Sequence, residues 1–196
     1  MSAGSRRPSG LPSSTSLWLT AGGLGLLRPA PGTWGSLPPA ALACLMLGFG
    51  APVWVSALGL VALCLVSTWA CIRWGDDGER GFGAKDASSI VIDEVAGGAV
   101  AAMPLAFIEG AGWIDAVVLS GASFLLFRAF DIWKPGPIRL MQRWHGGLGV
   151  VADDLAAGSL AGVVLMVFTP QALALAAWLA AAIGGAPRPE PHGVAI

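Results

Sequence analysis

The chain has 196 residues, 55% of them hydrophobic and only 12% charged, with a formal net charge of −1 and a mean hydropathy of +0.71. That hydropathy exceeds what one soluble domain of this length needs to fill a core, so the composition points to a membrane protein. The near-neutral charge offers no dense basic stripe to displace counterions from a phosphate backbone, which excludes nucleic acid as a partner.

In chain order, residues 1–16 are rich in Ser, Gly and Pro and carry Arg6 and Arg7. They read as a flexible extension, and the short apolar run after them, broken by Gly22, Gly23 and Gly25, argues against a cleaved signal peptide. Next comes Pro31-Gly32-Thr33-Trp34-Gly35-Ser36, a glycine turn running into a helix start. Such a turn presents backbone N–H groups to an anion and makes Thr33, Gly35 and Ser36 candidates for phosphate binding. Ser36 before Leu37-Pro38 also fits an ordinary N-cap with proline in the first turn.

No charged residue occurs between Arg28 and Arg73, and residues 53–72 alone match the ~20 residues that cross a bilayer as a helix. Apolar segments then recur in pairs. Residues 37–47 and 53–72 flank a Gly-Phe-Gly-Ala-Pro turn, residues 95–108 and 113–130 flank Glu109 to Gly112, and residues 155–168 and 172–183 flank Thr169-Pro170-Gln171. The expected fold is therefore all-α, a membrane-embedded or membrane-associated bundle of about three helical hairpins. Segments such as 95–108, ~21 Å as helix, are short for a ~30 Å hydrocarbon core and could be half-embedded. Hairpins that enter and return place the N-terminus, residues 73–94, residues 131–154 and the C-terminus on one side. The Lys and Arg residues fall in or beside those segments, while the opposite turns carry only Glu109 and Asp115; by the positive-inside rule the shared side is cytoplasmic. Cys44, Cys64 and Cys71 lie in apolar stretches without a Cys-x-x-Cys spacing and read as buried spectators.

The polar islands between these segments carry the chemistry. The first holds Asp86, Asp93 and Glu94; if the whole island is helical, Asp86 and Asp93 share a face, with Glu94 ~100° around it. Asp86 alone fits a helix cap, whereas Asp93 and Glu94 enter an apolar helix with no cation in the next two turns. The next island ends a helix with Arg128, Asp131 and Lys134 before Pro135 and Pro137. Asp131 and Lys134 could be a plain i,i+3 ion pair. Alternatively Asp131 serves a metal while Lys134, Arg128 and Arg139 meet phosphate oxygens; the plainer role of positive-inside anchor suits Arg139 and Arg143 better than Lys134. The last island runs from His145 through a glycine loop to Asp153 and Asp154 at the start of a helix. His145 is a candidate phosphate ligand or general acid, although a lone loop histidine is more often structural. Carboxylates beside apolar helices are costly unless they pair, face water or bind a cation, and oxygen donors suit Mg²⁺, Mn²⁺ or Ca²⁺. One hard metal ion gathering Asp86, Asp93, Glu94, Asp131, Asp153 and Asp154 accounts for all three islands.

Taken together, Gly32 to Ser36, Ile90 to Glu94, Phe127 to Ile138 and His145 to Gly158 resemble the phosphatidylglycerophosphatase A family of bacterial membrane lipid phosphatases. The resemblance covers roughly residues 17–183, between the N-terminal extension and a Pro/Gly-rich tail, 184–196, that reads as disordered. It implies an all-helical Mg²⁺-dependent enzyme of the cytoplasmic membrane that hydrolyses phosphatidylglycerophosphate to phosphatidylglycerol, its partners being the lipid substrate and the bilayer. It also implies that Asp93, Glu94, Asp131, Lys134, Asp153 and Asp154 form the catalytic set, with Asp86 among the metal ligands. The rival from another class is a small cation transporter or channel subunit, which would place carboxylates at mid-span rather than at helix ends.

Overall fold

A computed structural model of the chain describes residues 11–83, 87–134, 136, 138 and 147–184. Among these residues there is helix and no strand, as an all-α bundle requires. The α-helices are α1 (Ser13–Leu19), α2 (Pro31–Gly35), α3 (Leu37–Gly48), α4 (Val53–Phe82), α5 (Ile92–Ala102), α6 (Trp113–Trp133) and α7 (Gly147–Gly184). Tighter 3₁₀ turns span Leu24–Leu26 and Met103–Phe107.

Local chemistry sets most of these limits. Proline at the first turn of α3 supplies a preset φ where no amide donor is needed. Gly83, at φ 70°, closes α4 in the left-handed region that glycine enters without a Cβ clash. The Asp115 carboxylate accepts the Gly112 N–H at 2.8 Å and opens α6.

The first two helical pairs form where the hydrophobic pattern puts them, but two expectations are corrected. Residues 155–183 are not a hairpin: α7 runs unbroken through Pro170. Proline removes one backbone donor, and next to it the Thr169 hydroxyl donates to Leu165 O at 2.8 Å, a side-chain bond of the kind that makes proline tolerable in a helix surrounded by apolar groups. Gly184 therefore lies ~45 Å along the helix from Asp154, away from the end that holds the acids. Residues 87–91 are not helical, so α5 starts only at Ile92 and the shared face of Asp86 and Asp93 does not arise; Asp86 itself lies outside the described residues. Helix α5 is buried at the bundle centre, where Asp93, Val95, Ala96, Gly97, Ala99 and most of its other residues are covered.

The outer surface is what a membrane solvates. On α4 the exposed residues Trp54, Leu58, Val61, Leu65, Trp69 and Ile72 follow helical spacing and form one outward apolar stripe. Helices α4, α6 and α7 are long and apolar enough to span a bilayer, and α6 is bracketed by exposed Trp113 and Trp133, 20 residues or ~30 Å apart, the thickness of a hydrocarbon core. This is a membrane protein. At one end Leu47, Leu105, Ala116, Leu119 and Leu165 form an apolar cluster; at the other Leu19, Ala70, Cys71, Ile92, Val95 and Val151 do the same beside the acids. Cys44, Cys64 and Cys71 form no disulfide.

Helices α5 and α7 cross with their backbones in contact. A Cβ on Gly158 would overlap the Gly97 carbonyl oxygen, and a Cβ on Gly97 would come within 2.5 Å of Asp154 O and 2.6 Å of the Phe127 ring. Small residues let two backbones touch where neither lipid nor side chains could drive them closer. Gly158→Ala is therefore expected to overpack this contact and destabilise the protein by about 1–3 kcal/mol. Gly121→Ala on α6, where an added methyl meets nothing within 4 Å, is expected to be neutral or stabilising by up to about 1 kcal/mol. Thermal unfolding of both variants in detergent checks the contrast, and equal melting temperatures would refute the close crossing.

Candidate active site

Asp93 and Gly97 are four residues apart on α5, and Asp154 and Gly158 are four apart on α7, so each acid stands one turn before the glycine at the crossing. Bringing the glycines together brings the acids together. Asp93 and Glu94 sit in the first turn of α5, whereas Asp153 and Asp154 lie in the second turn of α7, which begins earlier than the sequence suggests. Asp131 arrives from the last turn of α6.

Four of these five carboxylates are deeply buried: Asp93 and Asp131 are each 7% exposed, Asp153 4% and Asp154 3%. Two cations reach in among them. Arg128 Nη1 donates to Asp131 Oδ2 at 2.6 Å, and more weakly to Glu94 Oε1 and Ser36 Oγ at 3.4 Å each. Lys134 Nζ donates to Asp153 Oδ2 at 2.5 Å and lies 3.6 Å from Asp131 Oδ1. The i,i+3 pair of Asp131 and Lys134 thus exists, but the lysine's short contact crosses to α7. Lys134 can reach across because it caps α6 in a left-handed conformation, φ 43°, with its N–H on Phe130 O at 2.8 Å. Burial disfavours its ammonium, yet the hydrogen bond to Asp153 and the charges of Asp153, Asp154 and Asp131 outweigh that cost, so its pKa is raised and the side chain stays cationic.

The glycine turn plays a part that the sequence did not reveal. A Cβ on Gly32 would overlap Glu94 Oε1 and stand 3.0 Å from Arg128 Nη2; one on Gly35 would come within 2.6 Å of Glu94 Oε2. The carboxylate of Glu94 packs against both glycines of this turn. Ser36 holds the N-cap position of α3 but makes no side-chain cap bond: its hydroxyl donates to Gly32 O at 2.8 Å and accepts weakly from Arg128. Thr33 is half-buried in the same turn. His145, Lys85, Arg139 and Arg143 fall outside the described residues, as Asp86 does. Gly97 and Gly158 are the positions sequence reasoning missed; the signal was the repeated acid-x-x-x-Gly spacing on two helices.

Among the described residues five carboxylates stand against two cations, a surplus of three negative charges if all are ionised, at the edge of an apolar bundle. Such a surplus calls for protons or a further cation. Among the described residues no three acids are drawn in tightly enough to enclose one metal ion, since Arg128 and Lys134 reach between them. The donors are nonetheless all hard oxygens, and Asp154 Oδ2 is buried without accepting a hydrogen bond. That set fits Mg²⁺ better than a softer metal, with Asp93, Glu94, Asp131, Asp153 and Asp154 as the residues able to hold it.

A family model described as phosphatidylglycerophosphatase A matches residues 17–169. The chain is 38% identical over 152 residues to a phosphatidylglycerophosphatase A of Haemophilus influenzae, covering 76% of this chain and 83% of that one. It is 34% identical over 169 residues to a putative phosphatidylinositol-3-phosphatase of Bacteroides thetaiotaomicron, covering 83% and 96%. To the phosphatidylglycerophosphatase A of Escherichia coli it is 33% identical over 144 residues, covering 73% and 76%. No solved structure matches it.

Removing Arg128 should strand buried carboxylates: Arg128→Met is expected to cost about 3–5 kcal/mol of stability. Adding Asp131→Asn should return about 0.5–3 kcal/mol of it as coupling energy, measured by a double-mutant cycle of unfolding in detergent. Strict additivity would show that the 2.6 Å contact carries no net interaction.

Proposed function

This chain belongs to the phosphatidylglycerophosphatase A family of phosphoric monoester hydrolases, and we propose that it hydrolyses the terminal phosphate of phosphatidylglycerophosphate to leave phosphatidylglycerol, using Mg²⁺. The observation that carries this reading is the buried surplus of carboxylates, met by Arg128 and Lys134, at one end of a bilayer-length bundle. Those two cations and Glu94 are the less buried members, with side chains 16–22% exposed, so a headgroup phosphate arriving at the membrane surface meets them first.

The residues divide the work by chemistry. Arg128 offers a planar fork and Lys134 a mobile point charge, and each can exchange part of its carboxylate contact for equatorial phosphoryl oxygens. When bound, Mg²⁺ supplies Lewis-acid neutralisation of the phosphoryl oxygens. One of the clustered carboxylates takes the proton from the attacking water as its oxygen bonds to phosphorus in line with the leaving glycerol oxygen. The ester P–O bond breaks, and the glycerol oxygen leaves as an alcohol once protonated. Asp93, Glu94, Asp131, Asp153 and Asp154 are the proposed metal ligands and candidate bases; Asp86 and His145 remain proposed members by sequence alone.

The site is assigned to the cytoplasmic face of the bacterial cytoplasmic membrane. Arg73, Arg80, Arg128 and Lys134 all belong to the site end, while the opposite turns hold Glu109 and Asp115, the charge asymmetry of the positive-inside rule. The acids lie at one end of the bundle and beside cations, which favours a phosphoester over a bare permeating ion.

Phosphate release from phosphatidylglycerophosphate in detergent micelles is expected to require Mg²⁺, to stop with a chelator and to fall at least about 100-fold in Asp93→Asn. Phosphatidylinositol 3-phosphate run in parallel tests the alternative headgroup that one relative's name raises. Release from neither lipid by folded protein would overturn the reading.

A further inference from the structure

We propose that the apolar groove between the N-terminal segment, α4 and α5 receives one acyl chain of the substrate lipid and so places its phosphate over the carboxylates. This inference rests on the lipid phosphatase reading above. The groove encloses about 360 Å³ and is lined by Trp18, Pro38, Leu63, Val66, Ile92 and Val95 among others, a volume within the range of ligand pockets.

Three observations select a substrate chain as the occupant. First, the groove and the site share one turn of one helix: Ile92 and Val95 form its floor, while Asp93 and Glu94, between them in sequence, face the site. Pro38, on its wall, stands two residues past Ser36, which contacts Arg128. Second, the groove has the right orientation for a bilayer lipid. Its α4 wall runs from Ser67 to Leu63 and its α5 wall from Ile92 to Val95, both leading from the site end toward the bundle middle. Third, Trp18 of its lining continues into an aromatic array on the part of α4 nearer the site end, of the kind found at membrane interfaces: Trp18 lies 6.2 Å from Trp74, and Trp74 lies 5.0 Å from Trp69, ring centre to ring centre.

A chain moving from bilayer to groove exchanges one apolar surrounding for another, so no hydrophobic transfer energy is gained. What the groove contributes is placement. A lipid with one chain held beside α5 cannot drift laterally from Asp93 and Glu94, and positioning of this kind acts on rate rather than on membrane partitioning.

The test uses the full chain in mixed micelles. Phosphatidylglycerophosphate bearing a diazirine within its acyl chain is photolysed with the protein, and the adducts are mapped by mass spectrometry. In parallel, kcat/KM is measured for a long-chain and a dihexanoyl substrate with wild type and with Val66→Trp, a bulky replacement at the half-open wall. Adducts are expected on the α4 and α5 walls, and the long-chain to short-chain ratio of kcat/KM is expected to fall about tenfold in Val66→Trp. Adducts confined to the outward faces of α6 and α7, or a ratio unchanged by Val66→Trp, would overturn the proposal. Adducts on the groove walls without phosphate release from either substrate would support the groove while sinking the phosphatase reading, so the two failures are separable. A second variant, Leu63→Trp, fills the inner wall; its adducts must leave residues 92–95, and persistence of those adducts counts against the groove.

Discussion

Everything at the site end depends on how closely α5 and α7 approach. Gly97 and Gly158 meet backbone to backbone, with no room for a methyl group on either side. Inside a membrane, burial of apolar surface no longer drives helices together, so close packing of small residues has to do so. Because an acid precedes each glycine by four residues, the crossing that holds the helices is also what sets Asp93 against Asp153 and Asp154. A wider crossing would leave these groups on separate helices, each facing lipid at a prohibitive cost.

Placing so many carboxylates in an apolar setting demands compensation, and α6 provides it. Arg128 ties Asp131 to Glu94 and to the glycine turn before α3, while Lys134, bent back by a left-handed cap, ties Asp131 to Asp153 on α7. Two side chains thus connect three helices and the α2 turn. Among the described residues their contacts leave carboxylates in excess of cations, and the proposed binding of a cation and a phosphate rests on that imbalance. The family to which the chain belongs, whose named relatives include phosphatidylglycerophosphatases, agrees with that chemistry.

The membrane setting explains the division of the helices. Helices α4, α6 and α7 expose apolar side chains and are long enough to span a bilayer, and α5, too short for this, fills the space between them. The first turn of this short central helix, with Asp93 and Glu94, lies at the end of the bundle where α6 stops at Trp133. Beyond Trp74, α4 continues to Phe82 through Asp76, Asp77, Glu79 and Arg80, a polar extension on the same side as the site.

The hydrophobic spacing determined the all-helical class, the first two helical pairs and the lipid-facing character, because lipid exposure constrains composition residue by residue and needs no partner to be legible. The positions of Asp93, Glu94, Asp131, Asp153 and Asp154 stood out for a similar reason: isolated acids in an apolar chain are rare and costly. Only the tertiary structure decided which group each of them meets. Glu94 packs against the glycine turn that looked like a phosphate loop, and Lys134 bonds across to Asp153 more closely than to its neighbour Asp131. The same holds for α7, where Pro170 signals a turn locally but packing along α6 and α5 keeps the helix whole. Local signals fix what a segment prefers and what it can pay to bury; pairings between segments far apart in the chain depend on backbone approach, and that is set at Gly97 and Gly158, where the sequence shows only two small residues.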